Sequence, residues 1–376
     1  MGSAAGMQHR LRAARLLLAL LAAGAASSGA AAVPAAPSFA LVLATTQGGE
    51  TRLWQRLPED PALLELGLIR HQSDFLPRVA LSPDGHRLAY TRLITGSQPE
   101  TDPAVQLGLF DLTSGTDVRL APEVDLRSTP LWSTDGSSIL FRQTYQHVDM
   151  ASRVELHALE IGSSGATRLI VAEEASTLVP LLWSADGTLL YGRWGNGVDL
   201  QRIEPGGSAP RTLARLSDGP AHNLSLSPDG RTAAYTRPLA RAASAQHSVF
   251  LVSIATGAVR QRWTEVNDHL NPVWRPDAQS ITIATRGPSG ALANLRQDDL
   301  VGGPPQTVQA GPPGRLEVPL AWSPDGRWLI IRSLQGTNSY DLTDEELVLV
   351  DSARGAREAI RRPGHTTFIG WRSLAP

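Results

Sequence analysis

Histidine, asparagine and carboxylate side chains recur at similar distances before a repeated aspartate, and these residue types can bind ligands or transfer protons. Imidazole and carboxylate groups together suit zinc, copper or nickel, and histidine beside an acid can also act in acid–base catalysis. The candidates lie six to thirteen residues before the repeated aspartate, with one histidine at the same offset before the last predicted strand. They are His71, Asp74, Arg127, His222, Asn223, Asp268, His269, Asn271, Glu317 and His365.

Three interpretations of these residues are open: a rim that binds a ligand or partner, a metal or acid–base site, and ordinary solvated loops. For a metal, the candidates are His222, His269 and His365. The spacing is too broad to define a set of metal ligands, so the sequence assigns no catalytic residue, no metal and no cofactor. The favoured interpretation is the binding rim.

The repeated aspartates belong to one motif, in which Trp or Leu precedes a turn sequence and an apolar run follows it. Pro presets φ, Asp hydrogen-bonds to its own backbone and Gly takes positive φ, so the motif predicts a tight reversal between two strands. The large residue before the turn is predicted to pack between repeats, as at Trp132, Trp183, Trp274, Trp322 and Trp371. The turn aspartates are Asp84, Asp135, Asp186, Asp229, Asp277 and Asp325.

The spacing of the motif predicts an all-β fold, a β-propeller. A third apolar run and a fourth, more polar run complete each repeat of about 48 residues, which is typical of a four-stranded blade. Six motif copies give six blades. The last apolar run, around Trp371, is predicted to pair with residues 39–45 and to complete a composite seventh blade. Rings of six or eight blades are the alternatives.

The propeller also positions the candidate residues. The segment before the first strand of each blade emerges on one face of the ring, so the residues at matching offsets should converge around the mouth of the central channel.

The repeated (Trp/Leu)-Ser-Pro-Asp-Gly motif resembles the TolB-type, WD-like propeller repeat, over nearly all of the chain from about Phe39 to Trp371. The resemblance implies a propeller fold and an exported protein. Relatives that it implies include the periplasmic propeller of the Tol system and the propeller domains of prolyl-oligopeptidase-like peptidases. Because sites rather than folds carry chemistry, the resemblance assigns no activity.

The composition removes several kinds of chemistry. Cysteine is absent, which excludes disulfides, thiolate nucleophiles and cysteine metal sites. All 34 basic residues are Arg, and without Lys there is no Schiff base and no P-loop. The net charge of −2 is unlike the basic surface of a nucleic-acid binder. The acidic pairs Glu173-Glu174 and Asp298-Asp299 and the run Asp344–Glu346 are interpreted as solvated charge.

The amino terminus has the pattern of an export signal. Three arginines precede the apolar run Leu16–Ala26, and Ala30–Ala32 offers a small-x-small cleavage site. The predicted organisation is a signal peptide over residues 1–32, with an uncleaved anchor as the alternative. A lead-in over 33–38 and one propeller domain over 39–376 follow. The mature protein is expected to be periplasmic or extracellular, without a membrane span.

The sequence therefore favours an exported, non-catalytic propeller that serves as a binding platform for a protein or an extracellular polymer, with no nucleic-acid partner and no cofactor. The alternative is an enzyme, such as a lyase, lactonase or hydrolase, with a His/Asp/Glu site at the channel mouth. The oligomeric state is left open.

Overall fold

The computed structural model describes most of the chain between Ser38 and Leu374. By contacts the chain divides into two units, Met1–Ala36 and Pro37–Pro376. The first unit, and with it the predicted export signal, lies outside the described residues. The described ranges are 38–73, 75–93, 105–126, 128–145, 152–162, 166–207, 209–240, 246–263, 268–286, 292–300, 306–309, 311–336 and 343–374.

Short apolar runs separated by Gly, Pro and Asp turns form strands throughout these ranges. The described ranges contain no helix, and therefore no helix that could cross a membrane. The strands are β1 (Phe39–Gln47), β2 (Glu50–Arg56), β3 (Leu63–Arg70), β4 (Arg78–Leu81), β5 (Arg87–Leu93), β6 (Val105–Asp111), β7 (Asp117–Pro122), β8 (Leu131–Trp132), β9 (Ser138–Tyr145), β10 (Arg153–Glu160), β11 (Thr167–Glu174), β12 (Thr177–Trp183), β13 (Leu189–Gly195), β14 (Gly197–Ile203), β15 (Arg211–Ser217), β16 (His222–Leu226), β17 (Thr232–Pro238), β18 (His247–Ser253), β19 (Val259–Gln261), β20 (Asp268–Trp274), β21 (Ser280–Arg286), β22 (Leu292–Asp299), β23 (Gln306–Gln309), β24 (Arg315–Trp322), β25 (Trp328–Gln335), β26 (Thr343–Asp351), β27 (Arg357–Ile360) and β28 (His365–Ser373).

These strands form seven four-stranded antiparallel sheets, the blades of a β-propeller. Blades 1 to 6 take four consecutive strands each: β4–β7, β8–β11, β12–β15, β16–β19, β20–β23 and β24–β27. The composite blade has the order β28-β1-β2-β3 and joins the two ends of the ring. The predicted fold class, with seven blades and a composite closing blade, is confirmed.

The seam between β1 and β28 closes the ring. It runs over eight paired positions, from Phe39 opposite Ser373 to Thr46 opposite His365, with one irregularity after Val42. Strand β1 is buried along most of its length and pairs with β2 on its other side. Since the seam pairs the two ends of the ring, β1 has a partner on both sides and is not left as a free sheet edge.

Each motif turn reverses the chain from the first to the second strand of its blade. The serine hydroxyl donates to the motif aspartate, at 2.6 Å both between Ser133 and Asp135 and between Ser227 and Asp229. The same carboxylate accepts a backbone N–H two residues later, as from Ser137 to Asp135 at 3.0 Å. These bonds hold the pKa of Asp135 near 2, with the Ser133 hydroxyl as the main cause. The interpretation of the motif aspartates as turn formers is thus supported by their contacts.

The motif turns and the connections from third to fourth strands lie on one side of the ring, here called the turn face. The connections from second to third strands, and those that lead into each first strand, lie on the opposite side, here called the rim face. The candidate residues that the structure describes belong to the rim face or to the strand ends that start there.

One motif turn has an alanine where the other five have glycine. Ala278 has a φ of 57°, in the left-handed region that glycine occupies in the other copies. We expect Ala278→Gly to raise the free energy of unfolding by about 0.5–1 kcal/mol, because relief of an unfavourable φ outweighs the added freedom of glycine in the unfolded chain. Urea unfolding followed by tryptophan fluorescence measures the change. Ala185→Gly is the matched control. Ala185 lies in another motif turn, at a position that does not have positive φ, so this substitution should lower stability.

The tryptophans before the turns pack between neighbouring blades, as predicted. Trp132, for example, is buried in a cluster that combines Ala89 and Leu107 of blade 1 with Ile139 and Phe141 of blade 2. The indole N–H groups also reach the preceding blade. Trp132 donates to the Ala80 carbonyl, Trp183 to Ser138, Trp274 to the Ser225 carbonyl and Trp322 to Thr282.

Candidate functional site

The predicted rim residues do not form one cluster in the described structure. Asp74 and Arg127 lie outside the described residues, and Asp268 and His269 are described only as backbone positions at the start of β20. Among the described residues there is no group of three or more His, Cys, Asp or Glu side chains that could hold a metal ion. The remaining candidates occupy separate places around the rim.

His71 is buried at the start of the connection from the composite blade to blade 1. Its Nε2 lies 2.9 Å from the Thr51 hydroxyl, and its Nδ1 lies 2.8 Å from the Gln72 carbonyl. Thr51 in turn bonds to Thr46 at 2.7 Å. Both imidazole nitrogens are therefore engaged inside the protein, and the ring braces the hairpin between β1 and β2.

His222 and Asn223 are exposed at the start of β16, on the rim face of blade 4. The His222 ring lies 6.1 Å from that of His247, a residue that the sequence analysis did not select. Asn223 and Asn271 occupy the same place in neighbouring blades, and both have positive φ, 54° and 52°. Each lies where the pairing of a first strand is interrupted, so a bulge recurs at this position.

Among the predicted rim residues whose side chains the structure describes, Glu317 has a carboxyl group with a perturbed pKa. It is only 1% exposed in β24. Oε1 accepts from Arg357, whereas Oε2 has no hydrogen-bond partner within the described structure. Burial raises the pKa of Glu317, against the lowering effects of Arg357 and Arg315. Gly311 lies against the carboxyl group, since a Cβ at that position would be 2.6 Å from Cδ.

Glu317 should make stability depend on pH. A carboxyl whose pKa is raised on folding stabilises the fold below its ordinary pKa of 4.5, and the contribution is lost as the pH rises through the folded pKa. We therefore expect the stability of the wild type relative to Glu317→Gln to fall over the range in which the pH rises from the ordinary pKa of 4.5 through the higher folded pKa. Unfolding in urea across this range measures the difference. Glu204→Gln, at an exposed pair with Arg202, is the control, and an equal slope in both variants would contradict the assignment.

A cavity lies at the rim face of the composite blade. It has a volume of about 420 Å³ and is lined by Thr45, Gln47, Gly48, Glu50, Arg52, Trp54, Arg362 and Pro363. Trp54 forms its aromatic wall, held by a 2.8 Å bond from its indole N–H to the Thr45 hydroxyl. The guanidinium carbon of Arg362 lies 4.8 Å from the centre of the Trp54 ring, in a cation–π contact.

The hairpin that forms one wall of this cavity is fixed by its glycines and by His71. Gly48 and Gly49 have φ values of 57° and 84°, as a two-residue hairpin turn with positive φ at both positions requires. The backbone N–H of His71 donates to the Gly49 carbonyl at 2.9 Å, and a Cβ at Gly49 would lie 2.8 Å from the His71 carbonyl oxygen. The buried histidine therefore positions the wall of the cavity.

A second cavity of about 300 Å³ lies on the other side of the connection between β27 and β28. It is lined by Asp344, Glu345, Glu346, Ile360, Arg361, Arg362, Gly364, His365 and Thr366. The acidic run is not freely solvated. Glu346 lies 3.2 Å from Arg315 and 3.0 Å from Arg361, and Glu345 lies 2.9 Å from Arg332. Arg362 borders both cavities, so we treat them as one feature, the rim groove.

Of the residues that line the rim groove, only His365 was selected from the sequence as a site residue. The residues selected from the sequence belong to segments that lead into first strands, whereas Gln47, Glu50 and Trp54 belong to a hairpin between second and third strands. The composite blade could have indicated these residues from the sequence. Because β1 is the second strand of that blade, the turn after Gln47 must lie on the rim face.

The structure resembles solved β-propellers at low sequence identity. A puromycin-hydrolysing peptidase from Mycobacterium tuberculosis is 14% identical, with a TM-score of 0.56 over 88% of this chain and 54% of that one. An oligogalacturonate lyase from Vibrio parahaemolyticus is 13% identical, with a TM-score of 0.54 over 74% and 75%. TolB from Acinetobacter baumannii is 19% identical, with a TM-score of 0.48 over 70% and 61%. The chain thus spans less than two thirds of that TolB and about half of the peptidase.

The sequence matches no family model and no curated protein. At these identities the solved structures establish the fold and no activity. That fold is the β-propeller that the resemblance to TolB-type repeats implied, so the resemblance is confirmed at the level of the fold.

Proposed function

We propose that the protein is an exported binding platform and that its partner docks on the rim groove. The observation that carries the proposal is the pair of adjoining cavities, about 420 and 300 Å³, on one face of the ring. Clefts of this size that present a few polar groups beside an aromatic wall are typical of binding sites. Export and the predicted division into residues 1–32, 33–38 and 39–376 are part of this proposal.

The construction of the groove supports recognition by a preformed surface. Its walls belong to β1, β2, β26, β27 and β28 and to the connections between them. Trp54 is held by Thr45, and the hairpin is held by His71. A surface ordered before binding loses less conformational entropy when its partner docks.

The proposal predicts that blocking the groove removes partner binding. Gln47 is exposed at the groove, so Gln47→Trp fills space without disturbing the core. Ala353 is exposed at the turn face of blade 6, and Ala353→Trp is the matched control. Immobilised wild-type protein and Ala353→Trp should retain the same partner from an envelope or culture-medium extract of the producing cell, and Gln47→Trp should not. Equal retention by all three would contradict docking at the groove.

The second candidate function is an enzyme, a lyase, lactonase or hydrolase, with its site in the smaller cavity. It is favoured by His365, which lines the same cavity as Asp344, Glu345 and Glu346. An imidazole beside carboxylates has the composition of an acid–base pair. Turnover of a lactone or polyuronate that disappears in His365→Ala would support this function, and stoichiometric metal lost in the same variant would make it metal-dependent.

A further inference from the structure

We propose that the rim groove recognises an extended polypeptide segment with one acidic side chain and one basic side chain a few residues apart. This inference rests on the proposed function and specifies the chemistry of its partner. The acidic side chain would meet Arg362 in the larger cavity, and the basic one would meet Asp344 in the smaller cavity.

Arg362 is the anion-binding group in this scheme. Its side chain is exposed, and within the described part of the chain its guanidinium has no ion pair, in contrast to its neighbour Arg361, which is paired with Glu346. The cation–π contact with Trp54 is not a hydrogen bond, so the guanidinium N–H groups can still donate to a carboxylate. Arg52 lines the same cavity but is bound by Glu50 and Glu65, each at 3.0 Å.

The smaller cavity has the opposite charge balance. Its lining has three carboxylates and two guanidiniums, whereas the larger cavity is lined by two guanidiniums and one carboxylate. Asp344 lies 3.4 Å from Arg315, and its side chain is still 65% exposed. An incoming ammonium or guanidinium can therefore reach Asp344 without first breaking a buried pair.

The alternation of charge favours a polypeptide over a polyuronate. A polyuronate has a negative charge on every residue, so a chain long enough to cross both cavities would place carboxylates against Asp344 and Glu345. A polypeptide can place opposite charges at the two ends of the groove. Like charges placed together weaken binding, so this arrangement selects against uniformly acidic chains.

Selection from a random heptapeptide display library tests the inference. Peptides that bind the wild type should be enriched in Asp or Glu and in Lys or Arg relative to the unselected library. Arg362→Ala should lose the acidic enrichment, and Asp344→Asn should lose the basic one. Asn also tolerates the positive φ of 42° at position 344. Arg354→Ala, at an exposed arginine on the turn face of blade 6 and outside the groove, is the matched control and should keep both enrichments.

Affinities of the selected peptides make the test quantitative. Loss of a charge-assisted hydrogen bond should weaken binding roughly tenfold to a hundredfold in Arg362→Ala, measured by fluorescence anisotropy. Equal affinities in Arg362→Ala and Arg354→Ala would overturn the inference, as would peptides without the two enrichments. Binding of polygalacturonate that requires Arg362 would replace the polypeptide with a polyuronate. If Gln47→Trp leaves peptide binding intact, the proposed function itself fails, because the peptides then bind elsewhere.

Discussion

Leu41→Asp is expected to leave the protein unfolded at 25 °C. Leu41 is 0% exposed and lies in the centre of the seam, opposite Trp371 of β28 and Arg56 of β2. The substitution removes a core side chain, worth about 2–5 kcal/mol, and buries a carboxylate with a penalty of several kcal/mol more. The sum is comparable to the whole stability of a domain, about 5–15 kcal/mol. Circular dichroism and size-exclusion chromatography would show the loss of the sheet structure.

The control for this substitution is Gln47→Asp, at the exposed end of the same strand, which should fold as the wild type does.

A disulfide bond between β1 and β28 should strengthen the seam. Ala44 and Thr367 are directly opposite in the β1–β28 pairing. In a chain without cysteines, Ala44→Cys with Thr367→Cys can form only one disulfide within a single chain. It should raise stability by about 2–4 kcal/mol under oxidising conditions. A pair that does not oxidise would contradict the register of the seam.

Asp298→Ala should lower the free energy of unfolding by about 3–5 kcal/mol. Asp298 is 0% exposed in β22, and it accepts two bonds from Arg262 of the preceding blade, at 2.6 and 2.8 Å. Without the carboxylate, the guanidinium remains largely covered and has lost both acceptors. Urea unfolding followed by tryptophan fluorescence measures the change.

Two variants keep this second prediction specific. Asp299→Ala changes the adjacent, exposed aspartate and should alter stability by less than about 0.5 kcal/mol. Arg262→Ala combined with Asp298→Ala should recover part of the loss, since the double variant leaves no unpaired charge. Equal losses in Asp298→Ala and Asp299→Ala would show that the inter-blade pair contributes nothing.

The fold was predictable because its determinants are local and repeated. Five of the six motif turns use Ser, Asp and Gly within a few residues, and the copies confirm one another. The seam was predictable because Trp371 repeats the large residue of a first strand that has no second strand after it. Even where Ala278 replaces the turn glycine, the contacts of the neighbouring residues preserve the turn.

For the candidate site, the sequence predicted only the side of the ring on which it lies. The sequence selected the rim, but His71 is buried there as a brace, and Glu317 is buried between strands instead of facing solvent. The interpretation of Asp298 as solvated charge was wrong. Its partner Arg262 lies 36 positions away in the neighbouring blade, and no local pattern signals that pairing. The contact between Arg362 and Trp54 likewise depends on the packing of blade 6 against the composite blade.

Site-specific photo-crosslinking can show whether a partner docks on the rim groove. A benzophenone amino acid is placed at Gln47 or Thr366, in the groove, or at Ala353, on the turn face, in protein produced in the native cell. If the partner docks on the rim groove, positions 47 and 366 should yield a crosslinked partner of one size and position 353 should yield none. Crosslinks from position 353 alone, or from all three positions alike, would contradict it.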